Sequence, residues 1–553
     1  MNYRESPETE FDRGCPTLLE AASPDLYRKN AFRVTGLTVE ATPRDISRHA
    51  EKLKMIRKYS SDKQVKMPLA LDPPPDEYSI RTALHNLQDP EKRLIDEFFW
   101  FWPAQLGQGM TDSALVALGR EDLRTAVKVW AQLEKSSESY VSIHNLAVMY
   151  HCLALDWEFT SLNRQLTEEE RKTAWEYWEY AVQRWRIVIE HEPFWSRLAA
   201  RIRALEDPRL TTGLARRMRD CILQAFLSIN ATLAVRFAEQ GKIEEARRQV
   251  KVMSIGEKPK REDKLQSGSR PQQALDSSIT NFLGPIALTA LRHALSPLRQ
   301  RLKSICQDTE DQVDRDPMHG DRALIQMIEN TKPLLRVFDC LLPSGDTTRD
   351  AVHDEVAGCI LRNQFTFGNQ TKNWKAVHEL LEHALSIAIG EVARQRIQEN
   401  LDAIKSNLLY CTCWFCKSNP ADESSNLAVP MYGNVKRTPT WNGTHVTWQR
   451  GTVTVPRCAT CSSSHNTEVT MTALGWIVGI ALGVCGFLIA SAEKAEGVGC
   501  VWLIFLVGGG YLAGKLLVRY QRPQGVQPKS MRREFPSVKE LLRQGWQIGS
   551  GPG

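Results

Sequence analysis

The chain has 553 residues, of which 42% are hydrophobic and 25% are charged, and its formal net charge at pH 7 is +6. These values are typical of folded proteins and exclude a mostly disordered or collagen-like chain. The positive excess is small for this length, so we expect no nucleic-acid partner. At about 150 residues per domain, the length predicts three or four folded units.

Starting at the N-terminus, the sequence predicts a disordered segment over residues 1–22 and a helical domain over 23–103. Within that domain, Thr42 and Pro43 predict a helix start, because threonine is a favoured N-cap and proline is favoured at the first helical position. Apolar residues then recur in steps of three and four, the spacing of one helical face; they are Ile46, Ala50, Leu53 and Ile56. Asp89, which is followed by proline, predicts a later helix start in the same way.

Two segments of this domain resemble J-domains. The first part of a J-domain is similar to FRVTGLTVEATPRDISRHAEKLK, residues 32–54. The last part of a J-domain is similar to LQDPEKRLIDEFFWFWP, residues 87–103. This resemblance implies a J-domain-like fold and a heat-shock ATPase chaperone as the protein partner. J-domains stimulate that partner through a His-Pro-Asp tripeptide, where this chain instead has KYSSDKQVKMPLALDPPP. We therefore expect no ordinary stimulation of a chaperone's ATPase.

The second helix of this domain also carries a basic face. In J-domains this helix contacts the chaperone, so the resemblance implies that its basic residues bind a partner. They are Arg44, Arg48, Lys52 and Arg57. The alternative is a charged face that contacts only solvent, as the polar faces of surface helices usually do.

From residue 111 to residue 409, amphipathic helical patterns follow one another without an alternating strand pattern. Two segments, residues 236–253 and 374–388, have the small-residue spacing of helical hairpins and resemble tetratricopeptide-type repeats. Such helix pairs bury their apolar faces by stacking on their neighbours. We therefore predict a helical repeat domain or bundle, with a mobile loop over residues 256–273.

The same region contains tryptophans at helical spacing, which predicts packing between helices rather than a ligand platform; they are Trp175, Trp178, Trp185 and Trp195. The sequence contains no Gly-rich phosphate loop, no Gly-x-Ser-x-Gly elbow and no carboxylate pair suited to acid–base chemistry. We predict no catalytic residues and no enzymatic activity.

Two Cys-x2-Cys pairs follow, Cys413 with Cys416 and Cys458 with Cys461. Each pair places two thiolates on one side of a metal ion, and two pairs complete a tetrahedral site without an open position. The spacing predicts a structural Zn²⁺ in a zinc-ribbon-like module over residues 410–466. Cys411 is an alternate ligand, and two redox-active pairs are the alternative interpretation of the cluster.

Between these pairs the sequence alternates, which predicts a β-hairpin. The alternating residues are Thr444, Val446, Trp448, Thr452, Val453 and Val455. We predict the turn of this hairpin at Arg450 and Gly451.

The last part of the chain contains two apolar runs, over residues 469–492 and 497–518. Each exceeds the ~20 residues that a helix needs to cross a bilayer, and the short connection predicts a transmembrane hairpin. Basic residues follow the second run, so the positive-inside rule predicts that both termini are cytoplasmic. Residues 519–553 are then a basic cytoplasmic tail. A buried hairpin in a soluble protein is the alternative.

Glycines recur every four residues in both runs, and such small residues permit close packing of membrane helices. They are Gly475, Gly479 and Gly483 in the first run and Gly510 and Gly514 in the second. We predict that the hairpin closes along these glycines and that Trp476 and Trp502 point elsewhere.

Together these patterns predict a mainly α fold with a J-domain-like head, a helical repeat body, a small β zinc ribbon and two transmembrane helices. The predicted function is that of a membrane-anchored cytoplasmic protein that interacts with other proteins, as a divergent J-domain cochaperone or scaffold. One alternative is a membrane-associated enzyme with an unrecognised site. Another is a signalling or secretion accessory that uses the J-like fold only structurally.

Overall fold

The computed structural model describes residues 15–59, 69–136, 140–257, 283–492, 505–513, 516, 519 and 523–552. Most of these residues are helical, which confirms the predicted mainly α fold. The chain divides into two compact units. The first contains Met1–Asp311 and Ile325–Val356, and the second contains Gln312–Leu324 and Ala357–Gly553.

A series of α-helices precedes the first β-strand in the described residues. In chain order they are α1 (Pro16–Ala21), α2 (Leu26–Lys29), α3 (Ala31–Thr35), α4 (Pro43–Tyr59), α5 (Glu77–Asn86), α6 (Pro90–Phe98), α7 (Ser113–Gly119), α8 (Leu123–Leu133), α9 (Tyr140–Asn163), α10 (Glu168–Glu190), α11 (Glu192–Ala204), α12 (Gly213–Glu239), α13 (Ile243–Glu257), α14 (Pro285–Arg315), α15 (Gly320–Leu341), α16 (Thr347–Thr371), α17 (Trp374–Ile387) and α18 (Glu391–Cys411).

Side-chain caps begin the helices of the N-terminal part. The hydroxyl of Thr42 accepts a hydrogen bond from the amide of Asp45, and the Asp45 carboxylate accepts one from the amide of Thr42, so α4 begins with a reciprocal cap. Asp89 caps α6 by accepting hydrogen bonds from amides in its first turn. Both predicted helix starts are confirmed. Ile46 and Leu53 are buried, as the predicted apolar face of α4 requires.

Part of the segment predicted to be disordered is helical. Pro16 begins α1, Leu18 is fully buried, and α1 packs against α12. The prediction was wrong here because the apolar partner of this short segment lies far along the chain, where local composition does not reveal it. Residues 1–14 lie outside the described residues.

Ion pairs connect residues 23–103 to later helices of the first unit. The guanidinium of Arg201 on α11 lies 2.6 Å from the carboxylate of Glu97 on α6, and that of Arg33 on α3 lies 2.6 Å from Asp156 on α9. Glu97 is fully buried. Burial raises the pKa of its carboxyl group, and the Arg201 guanidinium opposes that shift. The pair of Arg201 with Glu97 is therefore a structural requirement, because an unpaired charge at the depth of Glu97 is costly.

Tryptophans of the helical body pack between helices, as predicted. Trp185 and Trp195 stack on Phe98 with ring centroids 5.6 and 5.8 Å apart, respectively. Trp178 is also buried, whereas Trp175 is partly exposed. The predicted mobile loop over 256–273 begins two residues too early, since α13 extends to Glu257, and its remaining residues lie outside the described ones.

The second unit contains a three-stranded antiparallel sheet with strand order β2–β1–β3. Its strands are β1 (Leu427–Thr440), β2 (Gly443–Val455) and β3 (Gln547–Ile548). Thr440 pairs with Gly443, so Trp441 and Asn442 form a two-residue turn between β1 and β2. Gly443 follows this turn with a φ of 137°, a backbone conformation that favours glycine.

The predicted turn at Arg450 and Gly451 is wrong. Both residues lie within β2, where they pair with Tyr432 and Met431 of β1. Gly451 is therefore not a turn residue. A Cβ atom at this position would lie 3.3 Å from the indole of Trp546, so glycine leaves space for that ring to pack on the strand. The Asn-Gly dipeptide at 442–443 is the stronger turn signal.

One long helix, α19 (Ala459–Ala492), contains the predicted first span, residues 469–492. Its part Ala459–Cys485 is long and apolar enough to cross a membrane, and only 11% of its most apolar stretch is buried. Among the described helices α12 also meets this criterion, but its stretch is 67% buried, as in the core of a soluble unit. Of the predicted second span, 497–518, residues 505–513 and 516 are helical and the others lie outside the described residues.

The predicted glycine seam is confirmed at Gly475, Gly479 and Gly510. A Cβ atom on Gly479 would lie 2.8 Å from the carbonyl oxygen of Leu506, and one on Gly510 would lie 2.5 Å from that of Gly475. Gly514 and Trp502 lie outside the described residues. The prediction for Trp476 is wrong, because its ring meets Tyr511 edge-on with centroids 5.6 Å apart. The rings of Trp476 and Tyr511 therefore pack beside the glycine seam.

Candidate metal centre

Four cysteine thiols come together in the second unit. The thiols whose sulphur atoms all lie within 4.8 Å of one another are those of Cys413, Cys416, Cys458 and Cys461. The sulphurs of Cys416 and Cys458 are 3.9 Å apart. In a tetrahedral site with metal–sulphur distances of about 2.3 Å, neighbouring sulphurs lie about 3.8 Å apart. The cluster is therefore compatible with a metal site, and it is the set of cysteines that the sequence predicts.

The first cysteine pair lies in a tight turn directly after α18. The amide of Cys413 donates to the carbonyl of Asn419, and the amide of Lys417 donates to the carbonyl of Cys413, both at 2.9 Å. Lys417 has a φ of 55°, in the left-handed region that such turns use. This backbone closure holds Cys413 and Cys416 on the same side of the turn.

The second cysteine pair lies at the start of α19. Cys458 directly precedes the helix, and the amide of Cys461 donates to the Cys458 sulphur at 3.5 Å. The free amides and the macrodipole of a helix N-terminus stabilise negative charge. The amide of Asn419 also donates to the Cys458 sulphur, through Nδ2 at 3.8 Å. These donors surround a sulphur that is one of the candidate metal ligands.

The first pair has thiols of unequal acidity. Burial opposes ionisation of Cys416, but hydrogen bonds from Ser418 and from the amide of Asn419 lower the pKa of its thiol to about 6. Cys413 is fully buried, and burial raises the pKa of its thiol. One member of the pair is thus ready to bind a cation at neutral pH, and the other gains from a bound cation that offsets its burial.

Arg457 supplies a positive charge beside the cluster. It directly precedes Cys458, it is buried, and its Nε donates to the carbonyl of Ser425 at 2.6 Å. Burial lowers the pKa of Arg457, whereas the neighbouring thiols of Cys413 and Cys461 oppose that shift. Four thiolates around a divalent ion carry a net charge of about −2. A buried guanidinium next to them offsets part of that charge.

Cys411, the predicted alternate ligand, is not one of the clustered thiols. It is the last residue of α18 and it is exposed. Its carbonyl accepts a hydrogen bond from the amide of Ala421 at 2.8 Å. Within the described residues, the cluster therefore contains four sulphurs and no fifth.

The segment predicted to be a basic tail is instead part of the fold around the cysteines. It forms a 3-10 turn (Lys529–Glu534), α20 (Pro536–Arg543) and β3. Phe535 and Val538 are fully buried. They share one core with ribbon residues, which include Phe415, Val429, Met431 and Val455. The apolar spacing of Val538, Leu541 and Leu542 behind a proline was a signal for this helix.

Trp546 closes this core over the sheet. A Cβ atom on Gly433 of β1 would lie 2.5 Å from its indole, so a side chain at that position would displace the ring. The hydroxyl of Tyr432 donates to the side chain of Gln547 at 2.5 Å, and the amide of Gly549 donates to the carbonyl of Pro430 at 2.9 Å. Residues 546–549 thus pack on β1 and form hydrogen bonds with it.

The predicted partner-binding face lies in the first unit. Arg44, Arg48 and Lys52 are exposed on α4, and the side chain of Arg57 lies outside the described residues. Exposure is what a partner-binding face requires, and the role of these residues remains a prediction.

No protein-family model matches this chain, and neither a curated protein nor a solved structure is detectably similar to it. The resemblance to J-domains and to tetratricopeptide-type repeats therefore stays a prediction from the residues quoted above.

Proposed function

We propose that this protein is a membrane-anchored cytoplasmic protein that binds other proteins, as a divergent J-domain-like cochaperone or scaffold, and that its cysteine cluster binds a structural Zn²⁺. The observation that carries this proposal is the cluster of four thiols at the start of an exposed apolar helix. A zinc-stabilised ribbon at this position would join the cytoplasmic part of the chain to its anchor.

The nature of the ligands supports zinc. Thiolates are soft ligands that select Zn²⁺ among the common divalent ions, and a site with four sulphurs has no open position for catalysis. The meeting of all four thiols at one point also favours one metal ion over two separate redox pairs.

The return of the chain supports a membrane hairpin with both flanks on one side. Nε2 of His465, which precedes the first apolar run, lies 2.9 Å from the carbonyl oxygen of Gln527, which follows the second. A chain that crosses a bilayer and then contacts its own starting point must cross an even number of times. Basic residues at this end favour the cytoplasmic side.

The protein-binding role is supported by the exposed basic face of α4 and by the helical body. A heat-shock ATPase chaperone is the partner that the J-like segment favours. Because the His-Pro-Asp tripeptide is missing, we propose binding without ordinary ATPase stimulation.

Elemental analysis of the full chain, purified in detergent without chelator, tests the zinc. We expect about one zinc per chain, as four thiolate ligands bind one ion. Cys458→Ser should lose the metal, and Cys411→Ser should keep it as the matched control outside the cluster. A chain without zinc, or equal zinc in the two variants, would contradict this part of the proposal.

Affinity capture from a cell extract tests the partner. We expect a heat-shock ATPase chaperone with the unmodified chain and its loss when Arg44, Arg48 and Lys52 are all changed to Glu. The control is the same charge reversal at three exposed basic residues of α14, which are Arg299, Arg301 and Lys303. Undiminished capture by the α4 variant would exclude this face as the binding site.

A further inference from the structure

The chain that follows the apolar hairpin is held rigidly against the ribbon. The amide of Gln527 donates to the carbonyl of Phe415 at 2.9 Å, and the Gln527 carbonyl lies 2.9 Å from Nε2 of His465 on α19. Nε1 of Trp414 donates to the carbonyl of Met531 at 3.0 Å. The 3-10 turn between these anchors therefore has a defined position relative to the first turns of α19.

That position corresponds to the headgroup layer of a bilayer. His465 precedes the apolar run at residue 469 by about 6 Å along the helix axis, at 1.5 Å per residue. Each polar layer of a bilayer is about 5–7 Å thick. Because the Gln527 carbonyl contacts His465, Gln527 lies at the depth of this polar layer when the run spans a bilayer, and the 3-10 turn begins two residues after it.

Three cations of this turn have no acidic partner among the described residues. They are Lys529, Arg532 and Arg533, defined here as the basic turn, and each is partly or fully exposed. In the part of the chain that the structure describes, none of the three forms an ion pair. The acid of the same turn, Glu534, pairs with Lys539 of α20 at 3.0 Å, and Arg543 lies 3.9 Å from Glu540.

We infer that the basic turn binds the negatively charged headgroups of anionic phospholipids at the membrane surface, with their phosphate oxygens as hydrogen-bond acceptors. The inference rests on the proposed membrane anchor and adds a lipid class to it. Guanidinium and ammonium groups bind phosphate through charge-assisted hydrogen bonds, and arginine does so in a bidentate manner. The anchored backbone holds the cations at the surface before a lipid arrives, which lowers the entropy cost of binding.

Native mass spectrometry of the full chain tests this inference. The chain is reconstituted in nanodiscs of equal parts phosphatidylcholine and phosphatidylserine, and the lipids retained after ejection are counted. We expect preferential retention of phosphatidylserine, and a loss of roughly fivefold in that preference for each cation replaced by glutamine in the basic turn. Lys539→Gln with Arg543→Gln is the matched control, since these cations already have acidic partners, and it should retain the preference.

Several outcomes would overturn the inference. One is equal retention of the two lipids by the unmodified chain, and another is an unchanged preference in the basic-turn variant. Displacement of phosphatidylserine by millimolar inorganic phosphate would indicate a site for free phosphate instead of a lipid site. Loss of a co-purifying acidic protein, with lipid preference intact, would indicate a protein partner.

Two further measurements separate this inference from the proposals on which it depends. Zinc content shows that the basic-turn variant keeps a folded ribbon. Extraction of the full chain from membranes by alkaline carbonate would refute the anchor and the lipid site together. A chain that resists extraction but shows no preference for phosphatidylserine refutes the lipid site alone.

Discussion

Replacing Phe535 by alanine should release the C-terminal segment from the ribbon. Phe535 is fully buried, and its ring meets the rings of Trp414 and Tyr410 edge-on, with centroids 5.3 and 5.6 Å away. Removing a buried phenylalanine costs about 3–5 kcal/mol. Each aromatic pair is worth about 0.5–1.5 kcal/mol beyond burial, so the upper half of that range applies here. Small modules have low stability, so a loss of this size is enough to detach residues 523–552 from the ribbon.

Hydrogen exchange of the full chain measures this effect. The amides that bond the returning segment to the ribbon belong to Gln527 and Gly549, which donate to carbonyls of Phe415 and Pro430 at 2.9 Å. At 1.4 kcal/mol per factor of ten, a loss of about 4 kcal/mol lowers their protection roughly a thousandfold. The zinc content should stay the same, because all four thiols lie before residue 462.

Phe365→Ala is the matched control. Phe365 lies on α16 and is 45% exposed, so its truncation should change stability by no more than about 0.5 kcal/mol. Unchanged protection of residues 523–552 in Phe535→Ala would refute the packing of this segment on the ribbon. An equal loss of protection in both variants would refute the assignment of the effect to Phe535.

Three further predictions follow from single contacts. Gly479→Leu should separate the two apolar helices, because even a Cβ atom would lie 2.8 Å from the carbonyl of Leu506. We expect a loss of about 1–3 kcal/mol, seen as weaker disulfide cross-linking between cysteines placed at Trp476 and Tyr511. Arg201→Ala should lower the unfolding free energy of the first unit by up to about 3–5 kcal/mol, since it removes the closer of two guanidinium partners of the buried Glu97 and leaves Arg93 at 4.0 Å; chemical denaturation measures this. Burial raises the pKa of Asp96 from 3.8 to about 7, so the folded state binds the Asp96 proton more tightly than the unfolded state. The stability should therefore fall as the pH rises from about 4 to 7. Asp96→Asn should make the melting temperature less dependent on pH over that window.

Each of these predictions has a control of the same chemistry. Ile477→Leu changes a 63% exposed residue of α19 and should leave the cross-linking intact. Arg164→Ala breaks a surface pair with Glu170 and should cost less than about 1 kcal/mol. Asp207→Asn removes a carboxyl group whose pKa is lowered by Arg209 to about 2, so it should change the pH dependence of stability only below about pH 4 and leave that dependence between pH 4 and 7 unaltered. Equal effects in variant and control would contradict the reasoning in each case.

Local sequence patterns were sufficient wherever the determining interactions lie within a few residues. The helix starts at Thr42 and Asp89 were predicted because a cap bonds amides of its own first turn. The four metal-binding candidates were predicted because each Cys-x2-Cys turn is itself the local geometry. The glycine seam was predicted because a four-residue spacing defines one face of a helix, and Gly479 and Gly510 do meet there.

The tertiary structure decided the features that depend on residues far apart in the chain. Phe535 belongs to the ribbon core because Trp414, more than a hundred residues earlier, lies against it. Gly451 signals a turn in the sequence but lies in a strand, because Trp546 occupies the space beside it. An apolar or small residue in the sequence indicates only that another side chain can pack over it. Which side chain covers it depends on how distant segments meet, and burial against such partners supplies most of the energy that selects one fold.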